Sequence, residues 1–258
     1  MAELDIQRVE QKLAQRVVGH RLYYHQSLPS TMDETRRLAG EGAPEGIVVI
    51  AEDQTKGRGR FERPWISPVG LNLAFSVLFR PEISQLPFIN MAAALAVCDA
   101  VRDLTGLAPE IKWPNDVRIN GKKLSGILVE TELEGDKATH AVVGIGMNIN
   151  FDPRGYAEIE DVATSLLAET GRRFDRADAL SSVLRKLDEY YGDVKATKSL
   201  TERWAERMET LGRLIQVRWK DDVIEGVADS VDDQGSLILK RPDGSSITVV
   251  AGEVTLQV

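Results

Sequence analysis

Between Gly57 and Trp65 the chain carries arginines separated by glycines. The segment follows an apolar run at 47–51 and reads Gly57-Arg58-Gly59-Arg60-Phe61-Glu62-Arg63-Pro64-Trp65. Glycines let a backbone turn sharply and approach a ligand closely, and an arginine fork binds two oxygens of a phosphate or carboxylate at once. From Lys56 to Arg63 there are four cations and one carboxylate, in a chain of net charge −8. This local reversal of charge predicts an anion-binding loop.

Two common phosphate-binding motifs do not fit this segment. The P-loop needs a lysine followed by serine or threonine after its second glycine, whereas Arg60-Phe61 follows Gly59. The dinucleotide fingerprint needs a glycine or alanine where Glu62 stands. A solvated arginine-rich loop would explain the charges, but it would explain neither the paired glycines nor the tryptophan that ends the segment.

Composition places the chain among globular proteins. Its 258 residues, 43% of them hydrophobic, can bury the core of one large domain or of a large and a small one. The first five residues lack the basic start and apolar stretch of a leader, and no apolar run approaches the roughly 20 residues of a membrane span. We therefore expect a cytoplasmic protein that does not associate with membranes.

Cysteine and histidine chemistry is not indicated. Cys98 lies in an alanine-rich run, where a buried helix position is expected, and a single cysteine cannot form a disulfide within the chain. His20, His25 and His140 are too scattered to suggest a metal site by their spacing.

The N-terminal part predicts two helices with a strand between them. Apolar residues recur at helical spacing at Ile6, Val9, Leu13 and Val17. A strand at 21–25 follows, so no room is left for a helix-turn-helix. A second helix is predicted to begin at Ser30 and Thr31, where two capping boxes overlap, and to end at Gly40.

Later segments predict a sheet built from hairpins. A half-buried strand over 71–79 precedes an alanine-rich helix over 86–103. Asn120-Gly121 is a strong two-residue hairpin signal, and 140–149 has the composition of a buried strand whose glycines allow close approach. Strands joined by hairpins favour an α+β fold, with a mixed or antiparallel sheet and helices on one side, over a doubly wound parallel sheet.

The last part of the chain has the pattern of a small barrel. Helices are predicted over much of 164–209, and five short strand-like segments separated by turn residues follow Leu211-Gly212. We therefore expect a domain over 1–210 and a second domain over 211–258.

A second group of polar residues lies in the middle of the chain, at Lys112-Trp113-Pro114-Asn115-Asp116 and at 121–128. Asp116 could hold a magnesium ion that bridges phosphates, since Mg²⁺ takes few protein carboxylates and keeps several waters. Lys123, beside Gly126, could place a charge on an acidic substrate. The alternatives are a plain turn at Asn115-Asp116 and an ordinary surface lysine.

Four motifs in this order resemble those of biotin protein ligases. They are Gly-Arg-Gly-Arg-x-x-Arg-x-Trp (57–65), Lys-Trp-Pro-Asn-Asp (112–116), Lys-x-x-Gly-Ile-Leu (123–128) and Gly-x-Gly-x-Asn (144–148). The resemblance extends from about Ser27 to Asn150. It implies a class II synthetase-like, biotin-lipoate ligase catalytic domain and a C-terminal SH3-like β-barrel. Larger members carry an N-terminal winged helix-turn-helix and repress transcription, whereas this chain resembles the monofunctional type without DNA binding.

The resemblance implies a two-step reaction. ATP and biotin form biotinyl-AMP with loss of pyrophosphate, and a lysine amine of a biotin carboxyl carrier protein then attacks the mixed anhydride. The carrier would belong to acetyl-CoA carboxylase or a related carboxylase, with Mg²⁺ as the metal, and a homodimer is left open. Asp116 has two candidate roles, metal ligand and acceptor of the amine proton.

The same resemblance assigns the site residues. Biotin would be bound by Ser30, Thr31, Gln54, Gly57, Arg58, Gly59, Arg60, Lys123, Gly126 and Leu128. ATP would be bound by Arg58, Arg60, Arg63, Trp65, Lys112, Asn115, Asp116, Lys123 and Asn148. Catalysis would rest on Lys123, Arg60 and Asp116. Met32 stands where some members have asparagine, and Trp113 is expected to pack structurally.

Two other functions remain as alternatives. A lipoate ligase would share the fold and the chemistry, although the arginine loop and the 112–116 motif are of the biotin type. A nucleic-acid-binding module would need a basic surface. The region 211–258 argues against it, since five cations there face eight acids.

Overall fold

The computed structural model describes residues 3–219 and 222–256. The helices are α1 Ile6–Leu13, α2 Thr31–Gly40, α3 Leu86–Thr105, α4 Leu166–Thr170, α5 Arg176–Lys195 and α6 Thr201–Ala205. The first seven strands are β1 Leu22–Leu28, β2 Val48–Gln54, β3 Leu73–Phe79, β4 Glu110–Lys112, β5 Asp116–Ile119, β6 Lys122–Glu134 and β7 Lys137–Met147. The last five are β8 Leu214–Trp219, β9 Asp222–Val231, β10 Leu237–Lys240, β11 Ser246–Val249 and β12 Glu253–Leu256.

A seven-stranded mixed sheet forms the larger part of the fold. Its strand order is β1-β2-β3-β7-β6-β5-β4. β1 and β2 pair in parallel across the α2 connection, and the other neighbours pair antiparallel. Asn120 and Gly121 have φ of 50° and 75°, as a two-residue type I′ hairpin between β5 and β6 requires. The predicted mixed sheet is confirmed.

Helices cover both faces of this sheet, not one face as the sequence suggested. α3 and α5 pack together, and α3 also packs on β5, β6 and β7. α2 packs on the opposite face, where Met32 and Leu38 join Val49 and Val142 in a second apolar cluster. Because both faces are covered, every residue of β3 is buried, and the strand expected to be half-buried lies wholly inside.

The segment Ile83–Thr105 corrects one expectation from the sequence. Its 23 residues contain an 18-residue window with a mean hydropathy of 1.3, so the segment is long and apolar enough to span a membrane by length and composition. In the protein 67% of that window is buried. A core helix passes the same test, and α3 is packed between α5 and the sheet.

The N-terminal segment contains one helix before β1 in the residues described. α1 ends at Leu13, earlier than the apolar spacing predicts, and Val17 lies beyond it with 49% of its surface exposed. Val9 and Leu13 are buried where α1 meets α5. Residues 3–21 form no helix-turn-helix.

The five C-terminal strands form an antiparallel sheet in the order β11-β10-β9-β8-β12, as the predicted barrel requires. Its buried side chains join the apolar core of the larger sheet. Hydrogen bonds also cross between the two parts, since Trp113 Nε1 donates to the Gly235 carbonyl at 2.9 Å and Thr201 Oγ1 donates to the Asp233 carbonyl at 3.1 Å. The domain boundary near residue 210 stays a prediction.

Candidate active site

A cavity of about 320 Å³ opens on the face of the sheet that carries α2. It brings together nearly all of the site residues predicted from the sequence. Those in its lining are Ser30, Thr31, Gln54, Arg58, Gly59, Arg60, Arg63, Trp65, Lys112, Asn115, Asp116, Lys123, Gly126, Leu128 and Asn148. Gly57 is outside the lining, where its carbonyl accepts a hydrogen bond from the Trp65 amide at 3.0 Å. This hydrogen bond joins the two ends of the arginine loop, and the biotin contact expected for Gly57 stays a prediction.

One end of the cavity holds an uncharged hydrogen-bonding network. The Thr31 amide and hydroxyl both donate to Gln54 Oε1, at 2.8 and 3.1 Å. The hydroxyl of Ser76, a fully buried residue, lies 2.7 Å from that of Thr31. Because the Thr31 proton is used on Gln54, Ser76 must donate to Thr31. The amide group of Gln54 is therefore fixed with its oxygen toward α2, and no group within 3–219 and 222–256 accepts a hydrogen bond from its NH₂, which can meet a ligand.

The start of α2 differs from the predicted capping boxes. Ser30 is the N-cap of the helix, but its side chain makes no capping hydrogen bond. Thr31, whose side chain the boxes would have used, bonds to Gln54 and Ser76 instead. Both side chains are buried and line the cavity. They are therefore directed toward a ligand site and not toward the helix backbone.

Three glycines of β6 and β7 form the floor of the cavity. Gly126 and Gly146 are register partners, and Gly144 lies two residues before Gly146 on the same face. A Cβ at Gly146 would stand 2.3 Å from the ring of Trp65, and one at Gly144 would stand 2.7 Å from Sδ of Met32. The close approach predicted for these glycines is therefore made by two side chains of the cavity wall.

Arg58 is held by carboxylates of α2 and of the seven-stranded sheet. Its guanidinium pairs with Asp33 of α2 at 2.9 Å and with Glu130 of β6 at 3.2 Å, and 17% of its side chain is exposed. The hydrogen bond from Arg58 lowers the pKa of Asp33 below its ordinary value. Arg58 thus ties the loop to α2 and β6 and arrives with its charge already compensated.

Arg60 and Arg63 reach the C-terminal barrel. Arg60 donates to Oδ1 of Asn115 at 3.2 Å and to the carbonyl of Gly252 at 2.9 Å. Arg63 binds both carboxylate oxygens of Glu253, one of them at 2.7 Å. Burial lowers the pKa of Arg60, whereas the hydrogen bond from Arg63 lowers that of Glu253. Both guanidinium groups stay charged.

The tip of the loop has an unusual backbone. Phe61 and Glu62, neither of which is glycine, have φ of 57° and 55°, in the left-handed region. Such residues persist where the surrounding structure holds them. Here the Gly59 amide donates to the Arg63 carbonyl at 2.8 Å, which closes the loop across the two strained residues.

The other end of the cavity is lined by charged side chains and is called the charged end, and Lys123 lies at its centre. Its Nζ is 2.8 Å from Oδ1 of Asp116 and 5.6 Å from the centre of the Trp65 ring. Burial lowers the pKa of Lys112, which also lines this end. The charged groups here are the cations of Arg60, Arg63, Lys112 and Lys123 and the carboxylates of Asp116 and Glu253. The charged end therefore carries a net charge of +2, before Arg58 with its own two carboxylates is counted.

Asn148 is fixed by protein contacts. Its Nδ2 donates to the Thr164 carbonyl at 2.9 Å, and its Oδ1 accepts from Asn72 at 3.2 Å. An amide group has two donor hydrogens and two acceptor lone pairs, so one of each is left for a ligand.

A magnesium ion fits this site as a companion of phosphates, not as the occupant of a protein cage. No cluster of three or more potential metal-ligating side chains occurs within 3–219 and 222–256. Asp116 supplies one cavity-facing carboxylate, and Mg²⁺ is typically bound by one or two carboxylates with phosphates and waters. The donors present therefore suit a metal that arrives with a nucleotide.

Several residues of the site were not predicted from the sequence. Ser76 had a signal, since it is the one hydroxyl residue in the apolar strand Leu73–Phe79. Asp33 and Glu130, which hold Arg58, had none that distinguishes them from surface acids. Gly252 and Glu253 had none either, because about 190 residues separate them from the loop they contact.

Two family models match the chain. The Biotin/lipoate A/B protein ligase family matches residues 24–148, and the Biotin protein ligase C terminal domain matches residues 210–256. The first begins within β1 and extends past the end of β7, so it covers the cavity floor. The second covers the five-stranded sheet that holds Arg60 and Arg63.

Similar proteins extend this likeness over most of the chain. The bifunctional ligase/repressor BirA of Bacillus subtilis is 36% identical over 234 residues, which cover 88% of this chain and 72% of that protein. The biotin--[acetyl-CoA-carboxylase] ligase of Paracoccus denitrificans is 35% identical over 87% of this chain and 96% of its own length. The solved biotin protein ligase of Aquifex aeolicus in complex with biotin and ATP superposes with a TM-score of 0.77 at 31% identity, covering 92% of this chain and 98% of that one. By sequence, fold and cavity, the chain belongs to the biotin protein ligases of the biotin/lipoate A/B protein ligase family.

Proposed function

We propose that this cavity holds biotin at its uncharged end and ATP at its charged end, and that Lys123 acts where the two meet. The chain is an ATP-dependent biotin protein ligase, which forms biotinyl-5′-AMP and transfers biotin to a lysine. One observation carries this assignment. The uncharged hydrogen-bonding end and the charged end lie in a single cavity, and they meet over the glycine floor beside Lys123. The solved relative from Aquifex aeolicus contains biotin and ATP.

The first step is an electrostatic problem that the charged end is suited to solve. Two unit charges about 4 Å apart repel by about 4 kcal/mol at an effective dielectric constant near 20, so the biotin carboxylate is repelled by the polyphosphate. A biotin carboxylate oxygen forms a bond to the α-phosphorus, and pyrophosphate leaves. The net charge of +2, which includes Lys123, counterbalances the Mg·ATP²⁻ ion. Among these cations, Lys123 is the one proposed to lie where the carboxylate meets the α-phosphate. Fixed cations of this kind need no reorganisation as the bond forms.

The uncharged end suits the ureido ring of biotin. With its oxygen held by Thr31, Gln54 offers N–H donors, and Ser30 offers a hydroxyl that can donate or accept. The thioether of Met32 adds an apolar wall above Gly144, where an asparagine would have added hydrogen bonds. A neutral polar ring with an apolar edge is the ligand that these groups match.

The indole of Trp65 is proposed to stack on adenine. Its Nε1 is buried and has no hydrogen-bond partner among the described residues, so the ring is positioned by packing on Gly126 and Gly146. Asn148 would read the adenine edge with its second amide hydrogen and its remaining lone pair. Flat rings of this size stack favourably with offset geometry.

Gly146→Ala tests the nucleotide end. A Cβ at this position would meet three atoms of the Trp65 ring at 2.3 to 2.7 Å, so the indole must move. We expect the KM for ATP to rise about tenfold, because loss of a stacked ring costs about 1–1.5 kcal/mol. The affinity for biotin without nucleotide should change by less than about twofold. Pyrophosphate-exchange kinetics and biotin titration measure these two quantities.

Gly144→Ala is the matched control two residues away on the same strand. Its Cβ would meet the flexible end of Met32, so the disturbance should appear at the biotin end. An equal rise of the ATP KM in both variants would contradict the separation of the two ends.

Magnesium, the carrier and the location of the protein are part of the proposal. Asp116 would hold Mg²⁺ on the phosphates during the first step and accept the amine proton in the second, in which nitrogen bonds to the acyl carbon and AMP leaves. The acceptor would be a biotin carboxyl carrier protein, since the Paracoccus relative is named as a ligase for acetyl-CoA carboxylase. Consumption of ATP favours a cytoplasmic location. We propose no DNA-binding role for the described residues. The homodimer stays a prediction, which sedimentation analysis of the purified protein can test.

The proposed function is tested by exchange of labelled pyrophosphate into ATP. We expect exchange that depends on biotin and is at least about a hundredfold slower with lipoate, because the uncharged end presents hydrogen-bonding groups to a ureido ring that lipoate lacks. A purified carrier domain should then become biotinylated at one lysine. Exchange that depends on lipoate and not on biotin would contradict the proposal.

A further inference from the structure

The C-terminal barrel contributes directly to the cavity through the start of β12. Glu253 lines the cavity and binds Arg63, and the carbonyl of Gly252 accepts a hydrogen bond from Arg60. Gly252 has little room to change, since a Cβ there would stand 2.4 Å from Val217 of β8. The barrel therefore presents a fixed backbone carbonyl and a carboxylate to the arginine loop.

The two contacted arginines flank the strained tip of the loop. Phe61 and Glu62 adopt left-handed φ values, and their neighbours on either side are Arg60 and Arg63. Arg58, in contrast, is held by α2 and β6 and not by the barrel. The half of the loop that carries Arg58 is thus anchored to α2 and to the seven-stranded sheet. The half that carries Arg60 and Arg63 is anchored to the barrel.

We propose that Glu253 is a positioning residue for adenylation, which holds Arg63 and the strained loop tip in the geometry that binds the polyphosphate. This inference rests on the proposed function of the cavity. An arginine has five N–H donors, and the two-point contact with Glu253 uses two of them. The remaining donors can bind phosphate oxygens while Glu253 stays in place.

The surrounding charges are consistent with positioning and not with neutralisation. Arg63 is exposed over 63% of its side chain, so its pairing with Glu253 gives little stability by itself. The pair does restrict where the guanidinium points, because a fork bound at two atoms is fixed in direction. Glu253 also lowers the positive potential at Lys112 and Arg60, so removing it would favour phosphate binding if charge alone mattered. Positioning and charge therefore predict opposite changes in the KM for ATP.

Glu253→Gln separates these effects, since it keeps the size of the side chain and removes its charge. We expect the KM for ATP in pyrophosphate exchange to rise about 5- to 20-fold and biotinyl-AMP to leave about tenfold faster. Biotin affinity without nucleotide should stay within about twofold, because Arg58 retains its partners. Glu253→Asp, which keeps the charge with a shorter reach, should fall between the native chain and Glu253→Gln. Glu225→Gln, the same change on an exposed position of β9, should behave as the native chain.

A second substitution tests whether the loop tip is what Glu253 holds. Glu62→Gly removes one of the two side chains held at an unfavourable left-handed φ, so the double variant Glu62→Gly with Glu253→Gln should recover the KM for ATP to within about threefold of native. Glu62→Gln removes the same charge but keeps a side chain at this φ. Combined with Glu253→Gln, it should therefore leave the KM for ATP as high as in Glu253→Gln alone.

The outcomes distinguish this inference from the proposed function. A native chain without biotin-dependent exchange would contradict the function. An active native chain whose Glu253→Gln variant has an unchanged or lower KM for ATP would overturn the inference. Equal rescue by Glu62→Gln and Glu62→Gly would overturn it as well, because the effect would then be one of charge and not of loop geometry.

Discussion

Lys123→Ala is expected to lower kcat/KM for biotin-dependent pyrophosphate exchange by about a thousandfold. A cation about 4 Å from the reacting oxygens contributes about 4 kcal/mol at a dielectric constant near 20, and each 1.4 kcal/mol is a factor of ten. The ammonium stands beside the glycine floor, 2.8 Å from Asp116, where the biotin carboxylate and the α-phosphate are proposed to meet. Its removal leaves the two anions opposed at the moment when the bond forms. Initial rates at varied ATP and biotin measure the loss.

The neighbouring lysine provides the control for this prediction. Lys122 donates to the carbonyl of Glu160 at 3.0 Å on the surface and is outside the cavity lining. Lys122→Ala should retain the native rate within about twofold, as surface substitutions usually do. Lys123→Arg should recover only part of the activity, because a planar fork does not replace a compact ammonium. Native activity in Lys123→Ala would demote this residue to an ordinary strand lysine.

Arg60→Ala is expected to lower kcat/KM by about a hundredfold, because hydrogen bonds to a charged group contribute about 1.5–3 kcal/mol each. Arg60 is the loop residue that contacts both parts of the fold, through Asn115 on one side and Gly252 on the other. Its loss removes a cation from the charged end and one of the two arginine contacts that hold the loop tip to the barrel. Both the KM for ATP and the rate of biotinyl-AMP formation should change. Single-turnover formation of the adenylate separates the two.

Arg185→Ala is the matched control for the arginine substitution. Arg185 lies on α5, which packs against α3 on the side of the sheet away from the cavity, and pairs there with Asp103 and Glu189. Its removal should leave exchange kinetics native. If Arg60→Ala were as active as Arg185→Ala, the loop would bind its ligand without this residue, and the catalytic role proposed for it would be wrong.

The three loop arginines are held by partners that the motif itself does not contain. The sequence identified Arg58, Arg60 and Arg63 as one group, because they share a short segment with regularly spaced glycines. In the folded chain they separate into Arg58, compensated by two carboxylates, and a pair held by the barrel. Chemically equal residues thus acquire different surroundings from elements far apart in sequence.

Thr31 gives a similar lesson at the biotin end. Local spacing predicted a capping box, a contact between residues three positions apart. The structure uses the side chain in a network with Gln54 and Ser76, from β2 and β3. A capping hydrogen bond and a tertiary hydrogen bond compete for one hydroxyl, and residue type alone does not say which is made.

Features governed by neighbours along the chain were accessible from the sequence: the glycine-spaced arginine loop, the Asn120-Gly121 hairpin and the hairpin-joined strands of the mixed sheet. The set of site residues, nearly all of which line one cavity, came from the resemblance of four motifs to those of biotin protein ligases. Helix and strand periodicity and the φ preference of glycine act over a few residues, so their patterns are visible in the letters. The folded chain added the α2 face, the direction of the Gln54 amide, and the contact of Glu253 with the loop. These depend on which distant groups come within about 3 Å of each other, since hydrogen bonds and ion pairs act at that range.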